Sequence, residues 1–115
     1  MLEVKNLLSE VNDIDGMYIY KKISHMNGNV LSVVQVANRT LAFHVHEHSD
    51  ELFCVLEGAF KLETQDGLIP VKAGEFVVVP MGMPHRPVVT ELTKFLMVEY
   101  DGTLSKENSG ELYKD

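Results

Sequence analysis

Residues 51–72 read Glu51-Leu52-Phe53-Cys54-Val55-Leu56-Glu57-Gly58-Ala59-Phe60-Lys61-Leu62-Glu63-Thr64-Gln65-Asp66-Gly67-Leu68-Ile69-Pro70-Val71-Lys72. Three short runs rich in aromatic and β-branched residues are broken at Glu57-Gly58 and Asp66-Gly67. Both breaks carry turn chemistry, and this pattern predicts strands over 51–57, 59–64 and 68–72. No segment here repeats its apolar residues at helical spacing. The same rhythm extends in both directions and predicts further strands at 17–24, 29–37, 40–45, 76–80, 85–90 and 94–100. Asn27-Gly28-Asn29, Ala73-Gly74 and Met81-Gly82 mark the breaks between them. Many short strands with no helix between them predict an antiparallel sandwich or barrel.

Two regions fall outside this rhythm. Val4, Leu7, Leu8 and Val11 recur at spacings that put them on one helical stripe, so a short N-terminal helix is expected over 4–11. Residues 101–115 are mostly polar and read as a surface tail. The chain has 115 residues, which suits one domain, with the barrel at about 17–100.

The formal charge is −7, from 17 acids against 10 bases. Binding to nucleic acid relies on Lys and Arg neutralising phosphates, so this balance argues against it, and against anionic membrane surfaces as well. No apolar run approaches the ~20 residues of a membrane span. The first residues show no basic stretch followed by an apolar block. The chain has one cysteine, Cys54, which can form no internal disulfide. A reducing, cytoplasmic setting is the expectation.

Leu52–Leu56 and Phe95–Val98 are apolar on both faces, whereas a half-solvated strand alternates. The outer faces therefore need a cover. The N-terminal helix can supply part of it and a second copy of the chain the rest, which predicts a homodimer.

The chemistry is concentrated in Phe43-His44-Val45-His46-Glu47-His48-Ser49-Asp50-Glu51. Side chains two apart on a strand share a face, so His44 and His46 are placed to hold one ion. If the strand beginning at Glu51 lies beside theirs, Glu51 adds an oxygen. A fourth ligand has to come from elsewhere, and His85, after the rigid turn Pro80-Met81-Gly82-Met83-Pro84, is the candidate. His48 continues the alternation and either joins the set or faces solvent. Glu47 and Asp50 are loop carboxylates, with Asp50 placed to accept a histidine N–H. His25 lies beside a turn, and Arg86 should point away from His85. Cys54 is out of phase with Glu51, which places it in core or interface. Phe43, Phe53 and Phe95 are read as core.

The spacing His44-x-His46-x₄-Glu51-x₆-Gly58 resembles the first motif of the cupin superfamily, and Gly74-x₅-Pro80-x-Gly82-x₂-His85 resembles the second. The 15 residues between Gly58 and Gly74 are similar to the short inter-motif segment of small stand-alone cupins. Two positions depart from the pattern: Asn38 stands where the family has glycine, and Val89 where it has asparagine. Asn tolerates left-handed backbone, so the turn at Asn38 should survive.

The resemblance implies a double-stranded β-helix, or jelly-roll barrel. It also implies one divalent transition ion (Fe, Mn, Ni, Co or Zn) held by His44, His46, Glu51 and His85, with positions left open for a small molecule. Two functions follow from it. One is a small metal-dependent enzyme of dioxygenase, isomerase or lyase type, with Glu51 doubling as base. The other is a non-catalytic module that binds a metal or metabolite.

Overall fold

The computed structural model describes residues 2–103. One helix, α1 (Leu7–Asn12), precedes nine strands: β1 (Lys21–Met26), β2 (Asn29–Val36), β3 (Arg39–Thr40), β4 (Glu51–Glu57), β5 (Ala59–Thr64), β6 (Gly67–Lys72), β7 (Phe76–Val79), β8 (Arg86–Val89) and β9 (Thr93–Tyr100). They form two sheets, ordered β1-β2-β9-β4-β7 and β3-β8-β5-β6. Every pairing is antiparallel. The chain alternates between sheets, β4 to β5 and then β6 to β7, which winds two hairpins around one interior.

Gly58 makes the first of these crossings. Its φ is +88°, and a Cβ there would sit 2.4 Å from the Leu92 carbonyl oxygen. Only glycine permits both the left-handed backbone and this close approach. Asn38, with φ 50°, takes the left-handed turn expected of it.

The interior is made by alternation. Phe53 and Val55 on β4 and Phe95 and Met97 on β9 are buried. Their intervening neighbours Leu52, Cys54, Leu56, Leu96 and Val98 are only half-buried. Phe53, Phe60 and Phe95 meet with ring centroids 4.8–6.2 Å apart, two of the three contacts edge-on, as ring quadrupoles favour. Val89 is buried in this core.

The N-terminal helix is shorter than its stripe predicted. Asn6 caps it, its side chain accepting from the Ser9 N–H at 2.9 Å, so the helix starts at Leu7. Val4 lies outside it and is 99% exposed. Val11 is buried against Ile23 and Val33, and this small core is completed by Leu7, Ile14, Leu31, Leu56 and Leu96. The helix therefore reaches one end of each doubly apolar strand, Leu56 on β4 and Leu96 on β9.

Two strands move. β1 runs over 21–26 instead of 17–24, because Met17–Tyr20 form a covering loop in which Tyr18 has φ 64° and donates its hydroxyl to the Ala37 carbonyl. The strand expected over 40–45 shrinks to Arg39–Thr40, followed only by an isolated bridge at His44. Phe43, expected in the core, is 42% exposed and carries the Arg86 guanidinium over its ring. Without a ladder partner, 41–43 does not keep the inward alternation. The tail expected over 101–115 lies outside the described residues beyond Thr103. No helix among the described residues is long and apolar enough to cross a membrane.

Candidate metal centre

The site forms where the two motifs meet. The His44 N–H donates to the His85 carbonyl at 3.0 Å, and the His85 N–H returns to the His44 carbonyl at 3.1 Å. The Gly82 N–H donates to the His46 carbonyl, and the Met81 N–H to Asp50 Oδ1, both at 2.9 Å. These bonds hold the loops around 44–50 and 80–85 together. Glu51 is the first residue of β4 and faces inward, opposite Val79 on β7.

One ligand atom from each of His44, His46, Glu51 and His85 lies within 4.8 Å of the other three. The imidazole centroids of the three histidines are 4.6–5.4 Å apart. His46, Glu51 and His85 are buried, while His44 is half-exposed.

The histidines are oriented from behind. His44 Nδ1 is 2.9 Å from the Ala42 carbonyl, and His85 Nδ1 is 2.9 Å from the Met83 carbonyl. A carbonyl only accepts, so each Nδ1 carries the proton and each Nε2 is left for the centre. His85 Nε2 lies 3.0 Å from Glu51 Oε1. His46 Nε2 lies 3.3 Å from Glu51 Oε2 and is buried with no hydrogen bond among the described residues. A buried ring nitrogen in that condition fits a metal ligand, since otherwise it stays unpaired at a cost. Borderline nitrogen and hard oxygen donors together suit a divalent transition ion.

The protonation pattern follows from this packing. Burial, aided by the nearby His85 and His46, pulls the His44 imidazole below its ordinary value, toward the neutral form that binds metal. Burial pushes against ionisation of both Glu51 and His85. Their contact overcomes it, with His46 also favouring the Glu51 carboxylate and the Met83 carbonyl the His85 cation. Glu51 is held below the usual carboxylate range and His85 above the usual imidazole range.

The remaining expected residues stand apart. His48 and Glu47 are exposed in the loop, and His25 faces Asp101 at the surface, 3.6 Å away. Asp50, expected to accept a histidine N–H, accepts from the Met81 N–H instead, and the His44 and His85 Nδ1 groups go to the Ala42 and Met83 carbonyls. Arg86 does point away from the cluster, pairing with Glu63 at 2.7 Å. Cys54 lies on the outer face, and burial raises its thiol.

One residue was missed. Glu99 is fully buried on the inner face of β9, and neither of its carboxyl oxygens has a hydrogen-bond partner among the described residues. The pairing of Leu52 with Val98 puts it beside Glu51, one step along the ladder. Burial, together with the Glu51 charge, pushes its carboxyl up to about 9, so it is neutral at pH 7. The signal was legible: Glu99 is in phase with Phe95 and Met97, both core residues.

Fold and site together define a cupin. Residues 30–99 match the cupin domain family, which spans both motifs, and the chain belongs to that family. It is 32% identical over 101 residues to the protein YdbB of Bacillus subtilis, covering 87% of this chain and 88% of that one. Its structure is similar to that of a cupin-2 domain containing protein from Shewanella frigidimarina, with a TM-score of 0.79 and 29% identity, covering 84% of this chain and 94% of the other. It is also similar to protein NMB1881 from Neisseria meningitidis, with a TM-score of 0.76 and 24% identity, over 86% of this chain and 100% of that chain.

Proposed function

We propose that the chain is a single-domain, metal-dependent enzyme that holds one divalent transition ion through His44, His46, Glu51 and His85 and acts on a small organic molecule. The observation that carries this reading is the convergence of four ligand atoms within 4.8 Å, with His44 and His85 fixed from behind. A bound ion supplies Lewis-acid polarisation of an enol, hydroxyl or carbonyl oxygen. The chain's own residues do the rest. Glu51 stays ionised at neutral pH and is the base that takes a proton from the bound molecule. The half-exposed His44 marks the side from which that molecule enters. Phe53, with its ring centroid 6.3 Å from that of His85, closes the inner side against water. A cytoplasmic setting accords with the unpaired Cys54.

Metal analysis and a substrate panel, run with and without oxygen, test this. Oxygen consumption identifies a dioxygenase, and anaerobic turnover an isomerase or lyase. Stoichiometric metal without turnover leaves the non-catalytic binding module. Absence of tightly bound metal after growth and loading in each of the five ions overturns the site.

We also propose a homodimer built on the outer face of the five-stranded sheet. Helix α1 covers Leu56 and Leu96 but leaves Phe76 and Val78 on the edge strand β7 at 65% and 46% exposure, with Leu52, Cys54 and Val98 half-exposed beside them. An uncovered apolar edge strand invites pairing with a second copy.

A further inference from the structure

The four-residue cluster does not account for Glu99. Its side chain is fully buried, and neither carboxyl oxygen has a hydrogen-bond partner among the described residues. Burying a polar group without a partner costs a few kcal/mol, so a position that keeps one has a use for it or has a partner from outside the chain. Phe95 and Met97, the inward residues of β9 nearest Glu99, are apolar, and so is Val30, paired with Glu99 across β2; Thr93, at the far end of the strand, donates its hydroxyl to the Ala59 and Glu91 carbonyls. On the remaining side the ladder brings Glu51. Ser32, paired with Met97 on the same face, is buried and polar but makes no hydrogen bond to Glu99, so the charged neighbour of Glu99 is Glu51 of the metal centre. Glu99 nevertheless stands outside the group of four whose ligand atoms converge. It lies beside the site without belonging to the ligand set.

We propose that Glu99 is a ligand-binding residue, whose carboxyl group takes a hydrogen bond with a hydroxyl of the small molecule held at the metal. This rests on the metal reading above. A hydroxyl both donates and accepts, so it satisfies a carboxyl group in either protonation state. An ether or a methyl at the same place leaves the buried oxygens unpaired. The class of molecule selected is one with a hydroxyl next to the oxygen that binds the ion, such as a 2-hydroxy acid or a hydroxy ketone.

The test uses the full chain loaded with Co(II), whose visible spectrum reports both metal and ligand binding. Glycolate and acetate, which differ by one hydroxyl, are titrated into the wild type, Glu99→Gln and Glu99→Met. The wild type should favour glycolate over acetate, in part because that hydroxyl also reaches the ion. In Glu99→Met the preference should fall about tenfold, the worth of one hydrogen bond to a buried polar group, with Co(II) affinity unchanged. In Glu99→Gln, which keeps a donor and an acceptor, it should fall less. An unchanged preference in Glu99→Met overturns the proposal. So does loss of Co(II) from both variants, which would make Glu99 part of the metal site. If Glu99→Met does not fold, the infrared carboxyl band of the wild type, assigned by its absence in Glu99→Gln, decides: it should shift when glycolate binds, and a fixed band refutes the contact. A wild type that takes up no Co(II) instead refutes the metal reading itself.

Discussion

His44 and His85 exchange both of their backbone hydrogen bonds, at 3.0 and 3.1 Å, across an isolated bridge outside the regular ladders. Their imidazole centroids are thereby held 4.6 Å apart. The two halves of the ligand set, 41 residues apart in the chain, are joined by this pair of bonds together with those from the Gly82 and Met81 N–H groups, with no ion required.

His46→Ala and His85→Ala should each weaken metal binding by more than about 100-fold, beyond the range of an outer-shell change. His25→Ala, at the surface, should leave it unchanged. Elemental analysis of the purified variants checks this, and equal metal in all three would exclude the site. Stripping the ion with a chelator should leave the far-ultraviolet circular dichroism of the barrel intact, because the Phe53, Phe60 and Phe95 core needs no ligand bond.

The stability of the metal-free protein should peak near pH 4.5 and decline above it. Glu51 is held low, so its contribution is present above its unfolded value of 4.5 and is lost as the pH falls. His85 is held high, so its contribution is complete below its unfolded value of 6.5 and is lost as the pH rises. Glu99 works in the same direction as His85. Its carboxyl is raised from 4.5 to about 9, so the unfolded chain releases that proton first and stability declines across this interval. Glu99→Gln removes the decline due to Glu99, and should gain on the order of 2–5 kcal/mol over the wild type at pH 8 and little at pH 4. Urea unfolding at the two pH values measures the difference, and an equal gain at both would show that Glu99 does not titrate in this range.

Gly58→Ala should destabilise the fold by roughly 2–4 kcal/mol, since it adds a Cβ 2.4 Å from a backbone oxygen at a left-handed φ. Gly74→Ala, also left-handed at φ +85° but with nothing within 4 Å, should cost only about 1 kcal/mol. Chemical denaturation of the pair separates the steric contribution from the backbone one. Equal losses would mean that the β4–β5 crossing relaxes around the new methyl.

Phe76→Glu should convert the proposed dimer to a 12.9 kDa monomer without loss of fold, because the side chain is already 65% exposed in one chain. Leu96→Glu, under helix α1, should instead unfold the protein. Sedimentation equilibrium at micromolar concentration reads the first outcome, and a wild-type monomer would refute the interface.

Strand identity and turn positions were legible in the sequence because each depends on local chemistry, and the four ligand candidates because motif spacing resembles a known family. Alternation sets which face a side chain takes, Gly58 and Asn38 declare left-handed turns, and motif spacing carries the family resemblance. The sequence likewise contained the phase of Glu99, in step with Phe95 and Met97. Its meaning needed the register that sets Leu52 against Val98 and so brings Glu99 beside Glu51. The early end of β3 and the exposure of Phe43 depended on which neighbours pair, a property of the assembled sheets. So did the reach of helix α1 to both Leu56 and Leu96, since β4 and β9 are adjacent only because the chain crosses between sheets. Local preference selects the elements; long-range pairing decides which of their side chains meet, because hydrogen-bonded ladders join residues that lie far apart along the chain.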